Sequence, residues 1–254
     1  MLRCTDLTLA VPGRELFRGL TVAFEPGQVW AVLGRNGTGK STLIHALAGL
    51  AAPAAGEVAL DGVALARVAA RDRARRVGVL LQMESGTWWG SVLGYVLLGR
   101  FPHASRLGGY TREDEAHAHA ALAEVGMAEF ATRKLVTLSG GERQRVRIAQ
   151  ILAQQCGIVL LDEPLQHLDL AHQALVLGII GRGVREHGQT AVMVLHEPLW
   201  IGRSCTHALI LNTDGSTAAG PAHEVITRER LERAYGCALR EIGDGDGRSF
   251  VPDV

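Results

Sequence analysis

Short apolar runs and amphipathic stretches alternate along most of this chain. Leu2 to Val11 alternates loosely through Leu7, Leu9 and Val11 and predicts a half-exposed strand. Leu16 to Phe24 predicts a second strand, with Pro12-Gly13 as the turn between them. After Pro26-Gly27 comes Val29-Trp30-Ala31-Val32-Leu33, apolar throughout and of buried-strand length. Ser41 to Leu50 places Leu43, Leu47 and Leu50 at helical spacing. Pro53 to Gly56 reads as a loop. Val58-Ala59-Leu60 reads as a strand ending in the tight turn Asp61-Gly62, and Val77 to Leu81 as a short buried strand ending at Gln82.

From Met83 to Val136 the strands fade. Ala- and Leu-rich helical patterns such as Glu113 to Val125 replace them, interrupted by a loop holding Pro102, Gly108 and Gly109. Glu142 to Gln155 predicts a strong helix, with Val146, Ala149 and Ala153 on one face and Arg143, Arg147 and Gln154 outward. Ile158 to Leu161, Thr190 to Leu195 and Ala208 to Leu211 are apolar strands, with helical stretches such as Ala171 to His187 between them. This alternation predicts an α/β fold with a mainly parallel sheet, an N-terminal antiparallel β part and a helical insertion. The expected organisation is one domain over 1–254: a core from 1–82 and 138–240, a helical part at 83–137 and a flexible tail at 241–254. The Gly/Asp-rich stretch Gly243 to Arg248 lies in that tail, and its Asp-Gly-Asp-Gly lacks the later ligands of a calcium loop. The basic cluster Arg71, Arg73, Arg75 and Arg76 predicts a solvated helix face.

Composition narrows the function. With 26 basic and 26 acidic residues the formal charge is zero, which disfavours a nucleic-acid-coating protein. The cysteines at 4, 156, 205 and 237 make no C-x-x-C pair, so a metal or disulfide framework is not expected and a reducing compartment fits. The first ten residues lack the apolar core of a signal peptide, and no apolar run approaches the roughly 18 residues of a membrane span. The expectation is a soluble, cytoplasmic protein that another chain would have to hold at any membrane.

Gly34-Arg35-Asn36-Gly37-Thr38-Gly39-Lys40-Ser41-Thr42 fits the phosphate-binding loop G-x-x-x-x-G-K-[ST], and it joins a predicted strand to a predicted helix as that motif requires. The glycines let backbone N–H groups curl around an anion, and the helix presents its positive end to the same anion. Lys40 adds a full charge at the β/γ phosphates, and Ser41 offers an oxygen to Mg²⁺.

A second feature selects among the chemistries that a phosphate loop permits. Leu138-Ser139-Gly140-Gly141-Glu142, followed by Arg143-Gln144-Arg145, resembles the signature of ATP-binding-cassette (ABC) ATPases. The family's other motifs have counterparts in order. Gln82 closes a strand like the Q-loop glutamine, and Ile158 to Pro164 looks like the Walker B strand with Asp162 and Glu163. Leu168-Asp169 resembles the D-loop, and His196 ends the strand Ala191 to Leu195 like the switch histidine. The resemblance covers nearly the whole chain and implies ATP and Mg²⁺ as cofactors. Asp162, with Ser41 and Gln82, would hold the Mg²⁺ shell. Glu163 would be the general base toward the attacking water, with His196 and Gln82 completing the catalytic group. Asn36, Gly37, Thr38, Gly39, Lys40, Ser41 and Thr42 would bind the nucleotide. Ser139 is placed to cap the helix that begins near Glu142, so its hydroxyl and the Gly140 and Gly141 amides make a second anion site, surplus within a monomer. The family uses that site, with Asp169, across a head-to-tail dimer.

There are departures. The family often stacks adenine on an aromatic residue after the first strand. Here the region reads Leu9-Ala10-Val11-Pro12-Gly13-Arg14, and Phe17 is expected in the core, which leaves Val11 or Arg14 for the base. Gln166-His167 precede Leu168-Asp169 where small residues are commoner. Among the family's classes, chromosome ATPases need a long coiled coil and tandem translation factors need two phosphate loops, and this chain has neither. A transporter subunit remains, seated peripherally at the cytoplasmic face of the cell membrane. Its implied partners are permease subunits, a second cassette and, indirectly, a periplasmic or lipoprotein substrate-binding protein, with no nucleic acid. Gly99-Arg100-Phe101-Pro102-His103 and the stretch from Gly220 to Gly236 resemble importers of iron-siderophores, haem and cobalamin; a lipoprotein or drug exporter is the competing reading. Trp88-Trp89 reads either as core of the insertion or as a groove for a short permease helix.

Overall fold

The loose alternation at the start of the chain becomes a hairpin. β1 (Leu2–Val11) and β2 (Arg14–Phe24) pair antiparallel with Val11 opposite Arg14, and Phe17 is buried in the core as expected. The computed structural model describes residues 1–82, 88–104, 109–195, 200–243 and 249–253. β3 (Val29–Leu33) leads into α1 (Lys40–Leu47), and β4 (Ala55–Leu60) with β5 (Val63–Ala64) completes an antiparallel sheet ordered β2-β1-β4-β5. Then come α2 (Ala70–Ala74), β6 (Val77–Leu80), α3 (Val92–Leu97), α4 (Arg112–Glu124) and α5 (Gly140–Gln154). The rest alternates: β7 (Ile158–Asp162), α6 (Leu170–His187), β8 (Thr190–Val194), α7 (Ile201–Ser204), β9 (His207–Leu211), β10 (Thr217–Pro221), α8 (Ala222–Val225) and α9 (Arg228–Tyr235).

The main sheet has six strands ordered β10-β9-β3-β8-β7-β6, all parallel except the edge strand β10. A strand covered on both faces needs apolar residues at every position, which is why β3, β7 and β8 read as unbroken runs. Successive side chains still divide between the faces. Val29, Ala31 and Leu33 join the cluster that includes α3 to α6, whereas Trp30 and Val32 pack toward α1 and the antiparallel sheet. The neighbours β3, β8, β7 and β6 all run the same way. Their carboxyl ends therefore deliver side by side the loop from Gly34, Leu195, Asp162 with Glu163, and Leu81 with Gln82.

Two expectations are corrected. The tail expected to be flexible from 241 contains most of a ribbon: β11 (Leu239–Ile242) pairs antiparallel with β12 (Ser249–Pro252), and Leu239 and Phe250 are buried. Two apolar residues on paired strands suffice to seat it, a signal that Gly/Asp composition hides. Residues 244–248 of the stretch Gly243 to Arg248 lie outside the described residues. The basic cluster does form a solvated face, with Arg71 and Arg75 exposed, and it also holds neighbouring segments. Arg71 and Arg75 donate to the Pro102 carbonyl at 2.9 Å each, Arg71 also donates to Ala104, and Arg76 pairs with Asp61. Arg147 and Gln154 do not face outward as Arg143 does, because Arg147 donates to the Leu81 carbonyl and Gln154 to those of Ala74 and Val77.

Candidate functional site

The phosphate loop is shaped by what its glycines permit. Gly34 has φ +141, and a Cβ there would stand 2.3 Å from the Leu211 carbonyl oxygen of β9, so no other residue fits. α1 begins at Lys40 behind Gly39, which is left-handed (φ 102) and supplies no side-chain cap. The N–H groups of a helix's first turn have no intrahelical partner, so this end stays open to an anion. Lys40 is buried, and its Nζ donates to the Gly34 and Arg35 carbonyls at 2.7 and 2.9 Å. Burial pushes the Lys40 amine down, with Glu163 and Asp162 opposing. Thr38 is buried and donates to the Arg35 carbonyl at 2.9 Å, so its side chain braces the loop.

A cleft of about 670 Å³ opens above this loop, lined by Val11, Arg14, Leu16, Asn36, Gly37, Gly39, Lys40, Ser41, Thr42, Gln82, Glu163 and Gln166. Asp162 ends β7 with both carboxylate oxygens buried, and neither makes a hydrogen bond of normal geometry. Burial raises its carboxyl above the ordinary value, while the Ser41 hydroxyl, His45 and Lys40 pull it down and Glu163 adds to the rise. An orphaned buried carboxylate costs several kcal/mol unless a cation meets it, roughly as for other buried charges. Oxygen donors from Asp162 and Ser41 beside a phosphate loop suit a hard divalent ion such as Mg²⁺. Glu163 follows at φ +54, a left-handed conformation that costs a non-glycine residue on the order of 1–3 kcal/mol and concentrates at working sites. Its Oε1 accepts from Gln82 Nε2 at 3.0 Å, which joins residues far apart in the sequence.

The remaining candidates stand elsewhere. Ser139 caps the helix α5: its Oγ accepts from the Glu142 N–H at 3.3 Å, while the Ser139 N–H donates to Glu142 Oε2 at 2.8 Å. Ser139, Gly140 and Gly141 do not line the cleft. Asp169 caps α6, accepting from the His172 backbone at 2.9 Å and its ring at 2.8 Å. His196 lies outside the described residues, one position beyond Leu195. Sequence reasoning missed two contributors. Gln166 lines the cleft, and its place three residues after Glu163 was the available signal. Gln144 is buried in α5 and donates to the Glu163 and Pro164 carbonyls at 3.3 and 3.0 Å, bracing the end of β7. The tryptophans divide. Trp88 packs edge-on against Tyr95 at 6.2 Å and donates to the Ser91 carbonyl at 3.0 Å, whereas Trp89 is 73% exposed.

A strongly cationic loop, an orphaned carboxylate and a second acid beside them can bind a metal-complexed polyphosphate and direct water at it. A family model described as ABC transporter matches residues 17–166. Ferric enterobactin transport ATP-binding protein FepC of Escherichia coli (strain K12) is 37% identical over 243 residues, 96% of this chain and 90% of its own. Hemin import ATP-binding protein HmuV of Burkholderia thailandensis is 37% identical over 263 residues, 97% of each chain. A solved structure, described as an inward-facing conformation of an ABC transporter of metal-chelate type, superposes with a TM-score of 0.85 at 28% identity, covering 100% of this chain and 97% of the other.

Proposed function

We propose, because this chain belongs to the ABC transporter family, that it is the ATP-hydrolysing subunit powering import of an iron chelate, haem or a cobalamin-type substrate. Full-length similarity to subunits named for ferric enterobactin transport and hemin import carries this reading. Among the described residues no helix is long and apolar enough to cross a membrane. By analogy with the import subunits it resembles, the cassette works through partners: permease subunits in the membrane, a second cassette, and a substrate-binding protein beyond the permease. Its place is peripheral, at the cytoplasmic face of the cell membrane.

The nucleotide's phosphates lie in the loop from Asn36 to Thr42, against the open end of α1, with Lys40 moving from the Gly34 and Arg35 carbonyls to the β/γ phosphates. Ser41, Asp162 and Gln82 would hold Mg²⁺, which would supply positive charge against the phosphate oxygens. Glu163, oriented by Gln82, takes a proton from the attacking water, and His196 contacts the γ-phosphate. Ser139, Gly140 and Gly141 close on the γ-phosphate held by a partner cassette, with Asp169 at the same interface. Hydrolysis removes that bridge and the dimer relaxes, moving the permease.

Ser139→Asp tests the shared site. Aspartate keeps the helix cap but sets a negative charge against the partner's γ-phosphate. It is cleaner than Gly141→Asp, whose Cβ would stand 2.9 Å from the His167 carbonyl oxygen within one chain. Expected are ATP binding to the monomer within about threefold of wild type and hydrolysis lowered by about 100-fold or more. Loss of monomer binding would instead place Ser139 in a site within one subunit.

The exposed Trp89 is the anchor offered to the permease, since exposed tryptophan concentrates binding energy at interfaces. Trp89→Ala should leave stability and basal ATPase activity of the free cassette unchanged while reducing pull-down of the permease. Trp88→Ala should cost about 2 kcal/mol of stability, because Trp88 packs on Tyr95. Normal assembly by Trp89→Ala would move the docking surface elsewhere. For the cargo, proteoliposomes holding this cassette with its permease and binding protein should show ATP-driven uptake of a ferric siderophore, haem or cobalamin. Uptake of none of these, with ATP hydrolysis intact, would sink the importer reading.

A further inference from the structure

We infer that Arg35 is a positioning residue of the nucleotide site, through which the element of α9, β11 and β12 holds the phosphate loop in the shape that takes a polyphosphate. This rests on the proposed nucleotide site. Arg35 acts at both of its ends. Its backbone carbonyl anchors the loop, accepting from Lys40 Nζ at 2.9 Å, from Thr38 Oγ1 at 2.9 Å and from the Thr38 N–H at 3.3 Å. Its side chain leaves the site: Asn36 and Gly37 line the cleft and Arg35 does not. A Cβ on Gly236, the residue that ends α9, would stand 3.2 Å from Arg35 Nη1 and 3.9 Å from its Cζ. The guanidinium therefore lies against the carboxyl end of α9. Arg35 makes no ion pair among the described residues, and Asp214, in the turn after β9, is engaged by Arg233.

The last carbonyls of a helix have no intrahelical partner and carry negative partial charge, so a cation is favoured there. Gly236 closes α9 in a left-handed turn (φ 70), with its N–H on the Glu232 carbonyl at 2.7 Å. With no Cβ, it leaves the guanidinium its place. The helix is itself fixed. Leu231 and Ala234 are buried, Arg233 Nη2 donates to Asp214 Oδ2 at 2.7 Å, and Glu232 Oε1 accepts from the Leu239 N–H at 2.8 Å where the ribbon begins. A loop that must wrap an anion gains affinity when its shape is set beforehand. Holding Arg35 from outside sets that shape without occupying the cleft.

The test is a double-variant cycle on the full chain, with Arg35→Met, Gly236→Leu and the pair, read by ATP affinity, by KM and kcat for ATP hydrolysis, and by Tm. Methionine removes the charge and keeps most of the length. The leucine side chain fills the place of the guanidinium and strains a left-handed position, so Gly236→Leu lowers Tm whichever residue stands at 35. Each single variant should weaken ATP binding by roughly threefold to fivefold, the range of a cation at an exposed helix end. The double variant should bind within about 1.5-fold of Arg35→Met, because the contact is already gone. KM should rise by the same factor as the affinity falls, while kcat stays within about twofold of wild type. Arg35→Lys should bind within about twofold of wild type, since it restores a charge to the helix end. Losses that multiply in the double variant would overturn the inference, as would a lowered kcat with KM unchanged, or Arg35→Met that binds like wild type. Wild type that binds no ATP would overturn the nucleotide site itself, a different result from any of these.

Discussion

Glu163→Gln should bind ATP and hold the dimer closed while phosphate release falls by about 10²–10⁴-fold, the usual worth of a general base. The substitution is close to isosteric. The glutamine side chain would keep the oxygen that accepts from Gln82 Nε2 at 3.0 Å, and the Gln144 braces on the Glu163 and Pro164 carbonyls do not involve the side chain. The left-handed backbone at φ +54 is already imposed on a non-glycine residue, so the exchange adds no strain. What disappears is the capacity to take a proton. One negative charge near Lys40 and Asp162 also disappears, which favours retention of the nucleotide. Single-turnover phosphate release together with gel filtration in ATP reads both effects. Release at the wild-type rate would remove Glu163 from the chemistry and leave its position at the end of β7 unexplained.

Asp114→Ala should lower stability by about 3–5 kcal/mol, a large part of the 5–15 kcal/mol typical of a domain, and reduce Tm by on the order of 10 °C. Arg100 and Asp114 form an ion pair at 2.8 Å with both side chains buried. Arg100 also donates to the Ala153 carbonyl and to Gln155 Oε1, each at 2.9 Å, so it welds the insertion to the end of α5. Asp114 additionally accepts from the Thr111 N–H and hydroxyl at 2.9 Å, closing the cap of α4. Removing the carboxylate strands a guanidinium out of water, which costs more than the pair contributes. The double variant Arg100→Met/Asp114→Ala should therefore recover much of the loss. A single-variant cost below about 1 kcal/mol would show that water reaches the pair.

The same carboxylate predicts an acid response. The Thr111 backbone N–H first, and Arg100 beside it, hold Asp114 down at about 2. A folded value below the unfolded value of about 3.9 means that the stabilisation is complete above about pH 4 and is lost as pH falls toward 2. Over that window wild type should lose stability more steeply than Asp114→Asn, as followed by circular dichroism against pH.

The stretch from Gly99 to His103 has a plain mechanical role. A Cβ on Gly99 would stand 2.2 Å from the Gln150 carbonyl oxygen, so glycine lets the segment lie against α5. Arg100 is buried, the His103 ring meets the Gln154 carbonyl at 2.9 Å, and Arg71 and Arg75 hold Pro102 from the core. Its likeness to an importer motif is thus matched by a joint between the insertion and the core.

By itself, the sequence determined the features that local chemistry writes as a pattern. A phosphate loop needs glycines at set places, a cap needs Ser139 three residues before Glu142, and a strand buried on both faces needs an unbroken apolar run. The loop, cap and strand-end positions of Lys40, Ser41, Ser139, Asp162 and Glu163 were legible for that reason, as was the parallel sheet. Only the tertiary structure decided which of them meet. Gln82 and Glu163 touch because β6 and β7 are parallel neighbours, and the Ser139 cap stands outside the cleft that holds Lys40. Tertiary structure also set Arg71, Arg75, Arg147 and Gln154 each onto a backbone carbonyl. A carbonyl is the same whatever residue carries it, so a side chain that binds one leaves no partner to be read in the sequence. Only the packing of distant segments brings the two together.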